Sequence, residues 1–392
     1  MSFNTFWKIF MRNRYRILCS LLFVFIFSYV LLNSYNSILR SRLKNFFAGD
    51  IVDFSYSDNV TGFSYPIVPN IVHYVHFDSP DLSFIQVISI RAVYLNSPPE
   101  KILIHCNCYS LKGKYWDMVK NISILEISYM RKPTHIFEKL LSSVYHSSDI
   151  ARLEILMKYG GIFLDTDTYV IKSLEYFRRF EMTLGWPPSQ NLGTQLLIAH
   201  KNARFLKLWY NSYHYYRRER WYYNAGELPT QFILEPMPYL VHRVPYDFGV
   251  HNLVHLLYGT CSSEWKNYHA IHLLVRHKNY LLPGDIVEEF NEENIKTYNK
   301  TFGDMARLVL YGFIDIIKLY EFYSRTSEKQ QKGSLAVKLY LLRFHMENLI
   351  RRIRECKMLS SHACADRQQK LFFYFVVIVV CEKIIMQEYL IQ

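Results

Sequence analysis

Residues 159–170 read YGGIFLDTDTYV and join a glycine pair, an apolar run and two aspartates one residue apart. Gly160 and Gly161 predict a turn, and the run 162–164 predicts a buried strand. An ionised carboxylate at the mouth of a buried strand is costly unless a charge or a ligand matches it. Asp165 and Asp167 therefore indicate a functional site.

The preceding segment, SSDIARLEILMKY (147–159), predicts a helix that leads into the glycine turn. Ser147 or Ser148 is a suitable N-cap, and Asp149 favours the positive end of the helix dipole. Asp149 and Arg152 are i, i+3 neighbours on one stripe of this helix. Gly160 suits the terminating position after the last turn.

Further out, the chain alternates strands and helices. The segment 69–77 predicts a strand, 83–96 a helix and 98–107 a second strand, which together form a βαβ unit. Residues 193–213 predict another strand followed by a helix. The predicted fold is therefore α/β, with a Rossmann-like and mostly parallel sheet.

The two aspartates suit metal chemistry at the edge of such a sheet. Side chains alternate along a strand, so Asp165 and Asp167 are expected to point the same way where the strand ends. Open α/β sheets build their ligand crevices at this edge. Carboxylate oxygens suit Mn²⁺ or Mg²⁺, with phosphate oxygens completing the shell, and such an ion neutralises charge on a departing diphosphate.

The N-terminal region suggests membrane attachment. Residues 17–32 are uncharged and apolar and follow four basic residues, which favours a single-pass anchor over a cleaved signal peptide. The predicted divisions are a cytoplasmic tail (1–16), a transmembrane anchor (17–35), a stem (36–65), a catalytic domain (66–284) and a helical C-terminal extension (285–392). The apolar run 371–381 is too short to span a bilayer. This topology predicts a type II protein of the Golgi or ER membrane with a lumenal catalytic domain.

Composition limits the alternatives. Half of the 392 residues are apolar and the chain holds 32 Tyr and 27 Phe, which suits a large packed core. The net charge of +12 comes from dispersed Lys and Arg without a nucleic-acid motif, so no nucleic-acid partner is expected. Cys106 and Cys108 are expected to be structural. Three sequons, at Asn59, Asn121 and Asn299, permit glycosylation.

The segment 147–175 resembles the core motif of family 32 glycosyltransferases, the group with a DXD sugar-binding motif that includes α-1,4-galactosyltransferases and α-1,4-N-acetylglucosaminyltransferases. The family's Ser-Asp-x-x-Arg helix, Tyr-Gly-Gly turn and D-x-D strand end all occur here. The strand PNIVHYVHF (69–77) resembles the family's Pro-x-Ile-x-His opening. AIHLLV (270–275) is similar to its Ala-Val-His-x-Trp segment but lacks the tryptophan. The likeness spans roughly residues 66–283.

This resemblance implies a glycosyltransferase-A fold, a nucleotide-sugar donor, a divalent metal (Mn²⁺ or Mg²⁺) and retention of the anomeric configuration. It implies that Asp167 ligates the metal and that Asp165 contacts the ribose, the sugar or the metal. Asp149 and Arg152 would hold the donor sugar. The LDTD form is similar to galactosyl and N-acetylglucosaminyl members, so a UDP-sugar and an α-linked product are expected, on the glycan of a glycolipid or glycoprotein.

Other residues of the expected site are less specific. His272 lies in the Ala-Val-His-like segment and is either a metal ligand, which would favour Mn²⁺, or a core histidine. The family's acceptor-side Thr-Gly-Pro motif is replaced here by NAGELPTQ (224–231), which leaves Glu227 as a candidate there, with Asn191 and Trp186 as weaker ones. His73, His269 and His277 are expected at the surface.

Two other functions fit parts of the pattern. IFLDTDTYV also fits the first motif of haloacid-dehalogenase phosphatases, in which Asp165 would be the nucleophile and Asp167 the general acid. GDIVEE (284–289) is similar to the late acidic motif of that family. Against this reading, some 80 ordered residues precede the strand, whereas that strand normally begins the phosphatase domain. A non-catalytic, membrane-tethered lectin-like protein is the third possibility.

Overall fold

The structure is a computed structural model that describes residues 52–282 and 287–312. The strands are β1 (Ile71–His76), β2 (Lys101–Cys106), β3 (Leu125–Tyr129), β4 (His135–Ile136), β5 (Lys139–Leu140), β6 (Gly161–Leu164), β7 (Thr168–Val170), β8 (Met182–Gly185), β9 (Leu196–Ala199), β10 (His242–Val244) and β11 (Ala270–His272). The α-helices are α1 (Phe84–Asn96), α2 (Lys114–Asp117), α3 (Val144–Tyr159), α4 (Arg204–Ser212), α5 (Lys278–Leu281), α6 (Asn294–Thr297) and α7 (Thr301–Tyr311). Shorter 3₁₀ and π turns connect them, at Glu175–Arg179, Tyr213–Tyr215, Tyr223–Glu227, Thr230–Leu234, Pro238–Leu240, His255–Gly259 and Glu264–Asn267.

Within the described residues, seven strands form one sheet in the order β10-β8-β9-β6-β1-β2-β3. The β1–β2, β2–β3, β1–β6 and β8–β10 pairs are parallel. Strand β9 runs antiparallel to both of its neighbours, β6 and β8. The prediction of an α/β domain with a mostly parallel sheet is therefore confirmed.

The predicted βαβ unit is β1-α1-β2. Ser83 caps α1 through a capping box, in which its side chain accepts from the Gln86 backbone while the Gln86 side chain accepts from the Ser83 backbone. This reciprocal pair satisfies two of the N–H groups that a helix start leaves free. The sequence therefore fixes where the crossover helix begins, and the helix carries the chain back to pair β2 alongside β1.

Helix α3 begins earlier than the sequence indicated. Its N-cap is Ser143, whose hydroxyl accepts from the His146 backbone N–H, so the predicted caps Ser147 and Ser148 lie inside the helix. The hydroxyls of those two serines donate instead to the carbonyls of Ser143 and Val144, four residues back. The helix is therefore about one turn longer at its N-terminal end than the sequence predicted.

The glycine turn after α3 depends on having no side chain. Gly160 and Gly161 have φ angles of +63° and +109°, where residues with a Cβ are strained. A Cβ on Gly161 would lie 2.6 Å from the Ile71 carbonyl oxygen and 2.8 Å from Nε2 of His73. The turn thus brings the first residue of β6 into close contact with β1, at the point where β6 begins.

A buried histidine pair lies under this turn, on β1 and β2. His73 is fully buried and its Nε2 is 2.9 Å from the Gly160 carbonyl oxygen, so Nε2–H must donate. Its Nδ1 then accepts from Nε2–H of His105, at 3.0 Å. Burial lowers the pKa of His73 to about 4 and that of His105 to about 3. The expectation that His73 lies at the surface is wrong, because its partner is on the next strand, 32 residues away.

The hydrophobic core includes residues from beyond the predicted end of the catalytic domain. Phe302, Met305 and Val309 of α7 belong to the same buried cluster as Phe84 and Ile88 of α1. The boundary predicted at 284/285 therefore runs through a continuous core. The rest of the predicted extension, with the apolar run 371–381, lies outside the described residues.

The fold prediction needs one correction. It included an N-terminal transmembrane helix, but no helix in residues 52–282 and 287–312 is sufficiently long and apolar to cross a membrane. The predicted tail and anchor (1–16 and 17–35) lie outside the described residues, as does most of the stem. The residues that the structure describes form the α/β domain.

Asn59 belongs to a buried polar network near β8. It is 1% exposed, and its amide nitrogen donates to Glu181 and to the Tyr239 carbonyl. Its side-chain oxygen Oδ1 accepts from the Glu181 backbone N–H. The Glu181 carboxylate, also buried, pairs with the guanidinium of Arg204 at the start of α4. This network ties the first described residues to the sheet.

Cys106 and Cys108 form a disulfide at the carboxyl end of β2. The structure therefore agrees with the expectation that this pair is structural. The next residue, Tyr109, stacks on Tyr129 at the end of β3, with ring centroids 4.7 Å apart. The disulfide closes a tight loop at this end of the sheet.

Candidate active site

Asp165 and Asp167 lie in a turn that follows β6. The strand ends at Leu164, and the Thr168 backbone N–H donates to the Asp165 carbonyl across the turn. Strand alternation therefore does not govern these two side chains, and each reaches a different partner. The expectation that they point the same way because they continue a strand is corrected by this turn.

Asp165 faces α3 and forms a charged cluster with Asp149 and Arg152. Nη2 of Arg152 is 3.0 Å from Asp149 and 3.3 Å from Asp165. Its Nη1 donates to the Thr194 carbonyl and its Nε to the Ser148 carbonyl. Each guanidinium nitrogen thus has an acceptor within the protein, and the Arg152 side chain is only 6% exposed. Arg152 therefore positions the two carboxylates and leaves little of itself to contact a ligand.

Asp167 faces the ribbon formed by β7 and β11. Its Oδ1 is 3.2 Å from Nε2 of His272, the last residue of β11. The ribbon holds this geometry, because His272 is paired with Thr168 in an antiparallel register and the Leu273 N–H donates to the Asp167 carbonyl. Both side chains remain about one quarter exposed, so a ligand has access to them.

Burial and neighbouring charge set the protonation of these groups. Burial raises the pKa of the Asp149 and Asp165 carboxyls above their ordinary value, even though Arg152 opposes the shift. Burial acts the same way on Asp167, but His272 and backbone N–H groups outweigh it and hold the pKa of Asp167 below its ordinary value. Burial lowers the pKa of His272, and the Asp167 carboxylate more than restores it, so the net shift is upward.

The residues present fit a divalent cation. With all three carboxyls ionised and His272 neutral, three negative charges against one guanidinium leave a net charge of −2, which a divalent ion would balance. Two ligands at right angles around an octahedral ion stand about 3 Å apart, close to the separation of the Asp167 oxygen and the His272 nitrogen. In the part of the chain that the structure describes, no group of three or more His, Cys, Asp or Glu side chains could hold an ion. Substrate oxygens or water would have to complete the shell.

The acceptor-side candidates have other partners. Trp186 is core: its indole N–H donates to the Gln190 carbonyl, and the Arg243 guanidinium lies 4.1 Å from the centre of its ring. Glu227 pairs with Arg220. Asn191 is half-buried, and the adjacent Leu192 joins the two acceptor-side segments: its carbonyl accepts from the Tyr222 hydroxyl and its N–H donates to Thr230.

Sequence reasoning missed the segment that precedes β9. Because β9 runs antiparallel to β6, residues just before β9 lie beside residues just after β6. The Gln195 carbonyl accepts from the Asp165 N–H and from the Thr168 hydroxyl, and the Thr194 carbonyl accepts from Arg152. This placement depends on the antiparallel pairing of β9 with β6, and no signal in the sequence marks that pairing.

Two tyrosines near the charged cluster were also missed. Burial is the main cause that raises the pKa of both Tyr213 and Tyr222. The negative charge of Asp149 adds to this rise. The buried Tyr213 hydroxyl has no hydrogen-bond partner among the described residues. The two phenol groups are thus buried neighbours of the Asp149 carboxylate.

Part of the chain is similar to known proteins. Residues 93–190 match the sequence family described as "Glycosyltransferase sugar-binding region containing DXD motif". A curated relative is the Glucan organizing enzyme 1 of Cryptococcus neoformans var. grubii, which is 27% identical over 188 residues. That match covers 43% of this chain and 50% of the relative, so the chain spans about half the length of the curated relative it matches.

Similar solved structures are also glycosyltransferases. The PaToxG glycosyltransferase is 17% identical, with a TM-score of 0.33, and the match covers 62% of this chain and 88% of that chain. The galactosyltransferase LgtC, in complex with donor and acceptor sugar analogs, is 13% identical, with a TM-score of 0.34, over 52% of this chain and 86% of that chain. The sequence match includes α3, the glycine turn and both aspartates. Residues 93–190 of this chain are therefore similar to a glycosyltransferase sugar-binding region with a DXD motif, in agreement with the resemblance seen in the sequence.

Proposed function

We propose that this protein is a retaining, metal-dependent glycosyltransferase. In this proposal it moves a hexosyl unit, galactose or N-acetylglucosamine, from a UDP-sugar to a glycan acceptor in α linkage. The observation that carries the proposal is the cluster of Asp149, Arg152 and Asp165 beside Asp167 and His272, inside and next to the region that matches a sugar-binding family.

The carboxylates of Asp149 and Asp165 accept hydrogen bonds from hydroxyls of the donor sugar in this proposal. Their side chains are 13% and 26% exposed, which leaves oxygen atoms open to a ligand, whereas Arg152 is enclosed. Arg152 opposes the rise that burial causes in the pKa of both carboxyls and fixes their direction, because its nitrogens are also held by the carbonyls of Ser148 and Thr194. The sugar is thereby oriented by groups that do not need to move.

Asp167 and His272 would hold the divalent ion, Mn²⁺ or Mg²⁺. When bound, such an ion neutralises the negative charge that develops on a departing diphosphate. An imidazole ligand favours Mn²⁺ over Mg²⁺, so the pairing of His272 with Asp167 supports Mn²⁺. The same pairing keeps Asp167 ionised before the ion arrives.

The proposed reaction exchanges one bond at the anomeric carbon for another and transfers one proton. The acceptor hydroxyl oxygen bonds to the anomeric carbon, and the bond from that carbon to the diphosphate oxygen breaks with its electron pair leaving on the diphosphate. The hydroxyl proton passes to the diphosphate on the same face of the sugar, which retains the configuration. The chain's own part is to fix the sugar against Asp149 and Asp165 so that this face stays open.

A donor screen with the full chain tests the proposal. UDP-galactose, UDP-N-acetylglucosamine, UDP-glucose and GDP-mannose are each incubated with Mn²⁺, with and without a glycan acceptor, and nucleotide release and product are measured. We expect UDP release and an α signal at the new anomeric centre by NMR. A β product, or no turnover of any donor, contradicts the proposal. Formation of a phosphoryl-aspartate at Asp165 would identify a phosphatase instead.

We also propose a lumenal compartment of the secretory pathway, the Golgi or the ER, as the place of the reaction. The Cys106–Cys108 disulfide supports this, since disulfides persist in oxidising compartments. Thiols in cell lysate are alkylated, and mass spectrometry then measures the peptide that holds both cysteines. We expect neither cysteine to be alkylated, because both are in the disulfide. A fully alkylated pair would contradict the proposed compartment.

A further inference from the structure

An aromatic cluster lies at the N-terminal end of α3, next to the charged cluster. Tyr145 is in the first turn of α3, and Trp221 packs edge-on against it, with ring centroids 4.8 Å apart. The guanidinium of Arg276 lies 4.1 Å from the centre of the Tyr145 ring. Tyr145 and Trp221 are 38% and 54% exposed, which is unusual for two packed aromatic side chains of this size. We call these three residues the aromatic platform.

The platform continues the stripe that carries the charged cluster. Tyr145, Asp149 and Arg152 are four and three residues apart, so they lie on one side of α3. Tyr145 is one turn nearer the helix start than Asp149, a rise of about 6 Å. Arg276 follows His272 by four residues in the chain. The platform therefore lies next to the proposed donor site, on its more exposed side.

Local contacts hold the platform in place. The Trp221 carbonyl accepts from Nε2 of His146, the residue next to Tyr145. The other ring nitrogen of His146 is bonded to the Tyr216 hydroxyl at 2.6 Å. The following residue, Tyr222, is fixed by its bond to the Leu192 carbonyl. The Trp221 backbone is therefore anchored on both sides, although its ring is exposed.

The chemistry of the platform matches a sugar ring. A pyranose presents an apolar C–H face that packs on an aromatic ring and a rim of hydroxyls that need donors or acceptors. Trp221 offers the ring. Arg276 offers planar donors, and its guanidinium makes no hydrogen bond or ion pair with another residue in 52–282 or 287–312. An aromatic face beside unpaired donors suits a neutral, hydroxyl-rich ligand.

We propose that the aromatic platform is the acceptor subsite, which binds a pyranose ring of the acceptor glycan on Trp221 with its hydroxyls near Arg276. This inference rests on the proposed function, because it assigns the second substrate of the same site. The ring bound here is the one that precedes or carries the attacking hydroxyl. The platform thus selects the acceptor, while Asp149 and Asp165 select the donor.

Binding without turnover tests the inference independently of activity. Lactose, N-acetyllactosamine and cellotriose are each added singly to the full chain, and saturation-transfer NMR reports which sugar protons contact the protein. We expect at least one of them to bind through C–H protons of one ring face. Trp221→Ala should weaken that binding about tenfold or more, and Arg276→Ala should weaken it severalfold. Tyr56→Ala, which alters a tyrosine that is 96% exposed and lies outside the site, should leave it unchanged.

Steady-state kinetics distinguish an effect on acceptor binding from an effect on donor binding. With the donor identified by the screen, Trp221→Ala should raise the acceptor KM about tenfold while shifting the donor KM much less. The inference is overturned if none of the three sugars binds, if Trp221→Ala binds them as the unaltered chain does, or if UDP displaces them from Trp221. If sugars bind the platform but the unaltered chain turns over no donor, the proposed function fails and the platform is a sugar-binding site without transfer.

Discussion

At the scale of single residues, Arg152 compensates the negative charges of Asp149 and Asp165. It is the only guanidinium in the described part of the chain that contacts both Asp149 and Asp165, and it is enclosed by protein. Two carboxylates with raised pKa values surround it, so its loss would leave them without compensation in a partly buried position. The resemblance implies that this residue holds the donor sugar, and its enclosure by protein leads us to propose that it acts by positioning the two carboxylates.

Replacing Arg152 should therefore affect stability as well as activity. We expect Arg152→Ala to lower the free energy of unfolding by about 3–5 kcal/mol, because it leaves buried carboxylates unpaired. Arg152→Lys keeps the charge but loses the planar contacts to the Ser148 and Thr194 carbonyls, so it should cost less. Urea denaturation followed by circular dichroism measures both. Equal stability of Arg152→Ala and the unaltered chain would contradict the assigned role.

Asp167 and His272 give a second prediction at this scale. Asp167→Asn should abolish transfer without lowering the melting temperature, because it removes the charge of a partly exposed carboxylate. His272→Ala should raise the Mn²⁺ concentration needed for half-maximal activity about tenfold or more, as expected for a lost ligand. A manganese titration of activity, with thermal unfolding alongside, measures both effects. If His272→Ala keeps its metal dependence but melts earlier, His272 is only a packing residue.

At the scale of elements, local signals predicted helices and strands, but contacts between distant segments were not predictable. The α3 helix, the glycine turn and β6 follow from capping residues, apolar spacing and glycines. The helix start was misplaced by a turn because four serines offer similar caps, and only tertiary contacts of the first turn decide among them. The platform residues Tyr145, Trp221 and Arg276 come from three separate segments. No local pattern joins them, so the acceptor side had to come from the structure.

The glycine turn gives a prediction for an element. Gly161→Ala should lower the free energy of unfolding by about 3 kcal/mol or more, since its Cβ would meet the Ile71 carbonyl at 2.6 Å in addition to backbone strain. Gly312→Ala is the matched control, because Gly312 also has a positive φ of +80° but has nothing within 4 Å of an added Cβ. It should cost only about 1 kcal/mol. Equal losses would show that strain alone, without the contact to β1, governs the turn.

At the scale of the whole molecule, the buried pair of His73 and His105 links stability to pH. Both pKa values lie below the ordinary value of about 6.5, so the unfolded chain binds more protons than the folded chain in acid. The contribution is fully present above pH 6.5 and is lost as pH falls toward 4. The pair also joins three neighbouring strands, through the Gly160 carbonyl and the turn into β6. Its protonation should therefore open the sheet at its centre.

We expect the chain to lose about 2 kcal/mol of unfolding free energy per histidine between pH 7 and pH 5. His105→Gln keeps an N–H for Nδ1 of His73 but cannot titrate, so its stability should fall less over the same interval. Denaturant titrations at both pH values, on both proteins, measure the difference. An identical pH dependence in His105→Gln would show that other groups cause the loss.

The burial of Asn59 has a consequence for the order of events when the chain is made. Its amide nitrogen already donates to Glu181 and Tyr239, and a glycan attached there would occupy the space of that network. In a compartment that attaches N-glycans, folding and modification of Asn59 exclude each other. Chains that fold first keep Asn59 bare, whereas chains modified first cannot close the network around β8. Glycopeptide mass spectrometry should find glycan on the exposed Asn121 of folded protein and on Asn59 only in the aggregated fraction; a glycan on Asn59 of folded protein would contradict this competition.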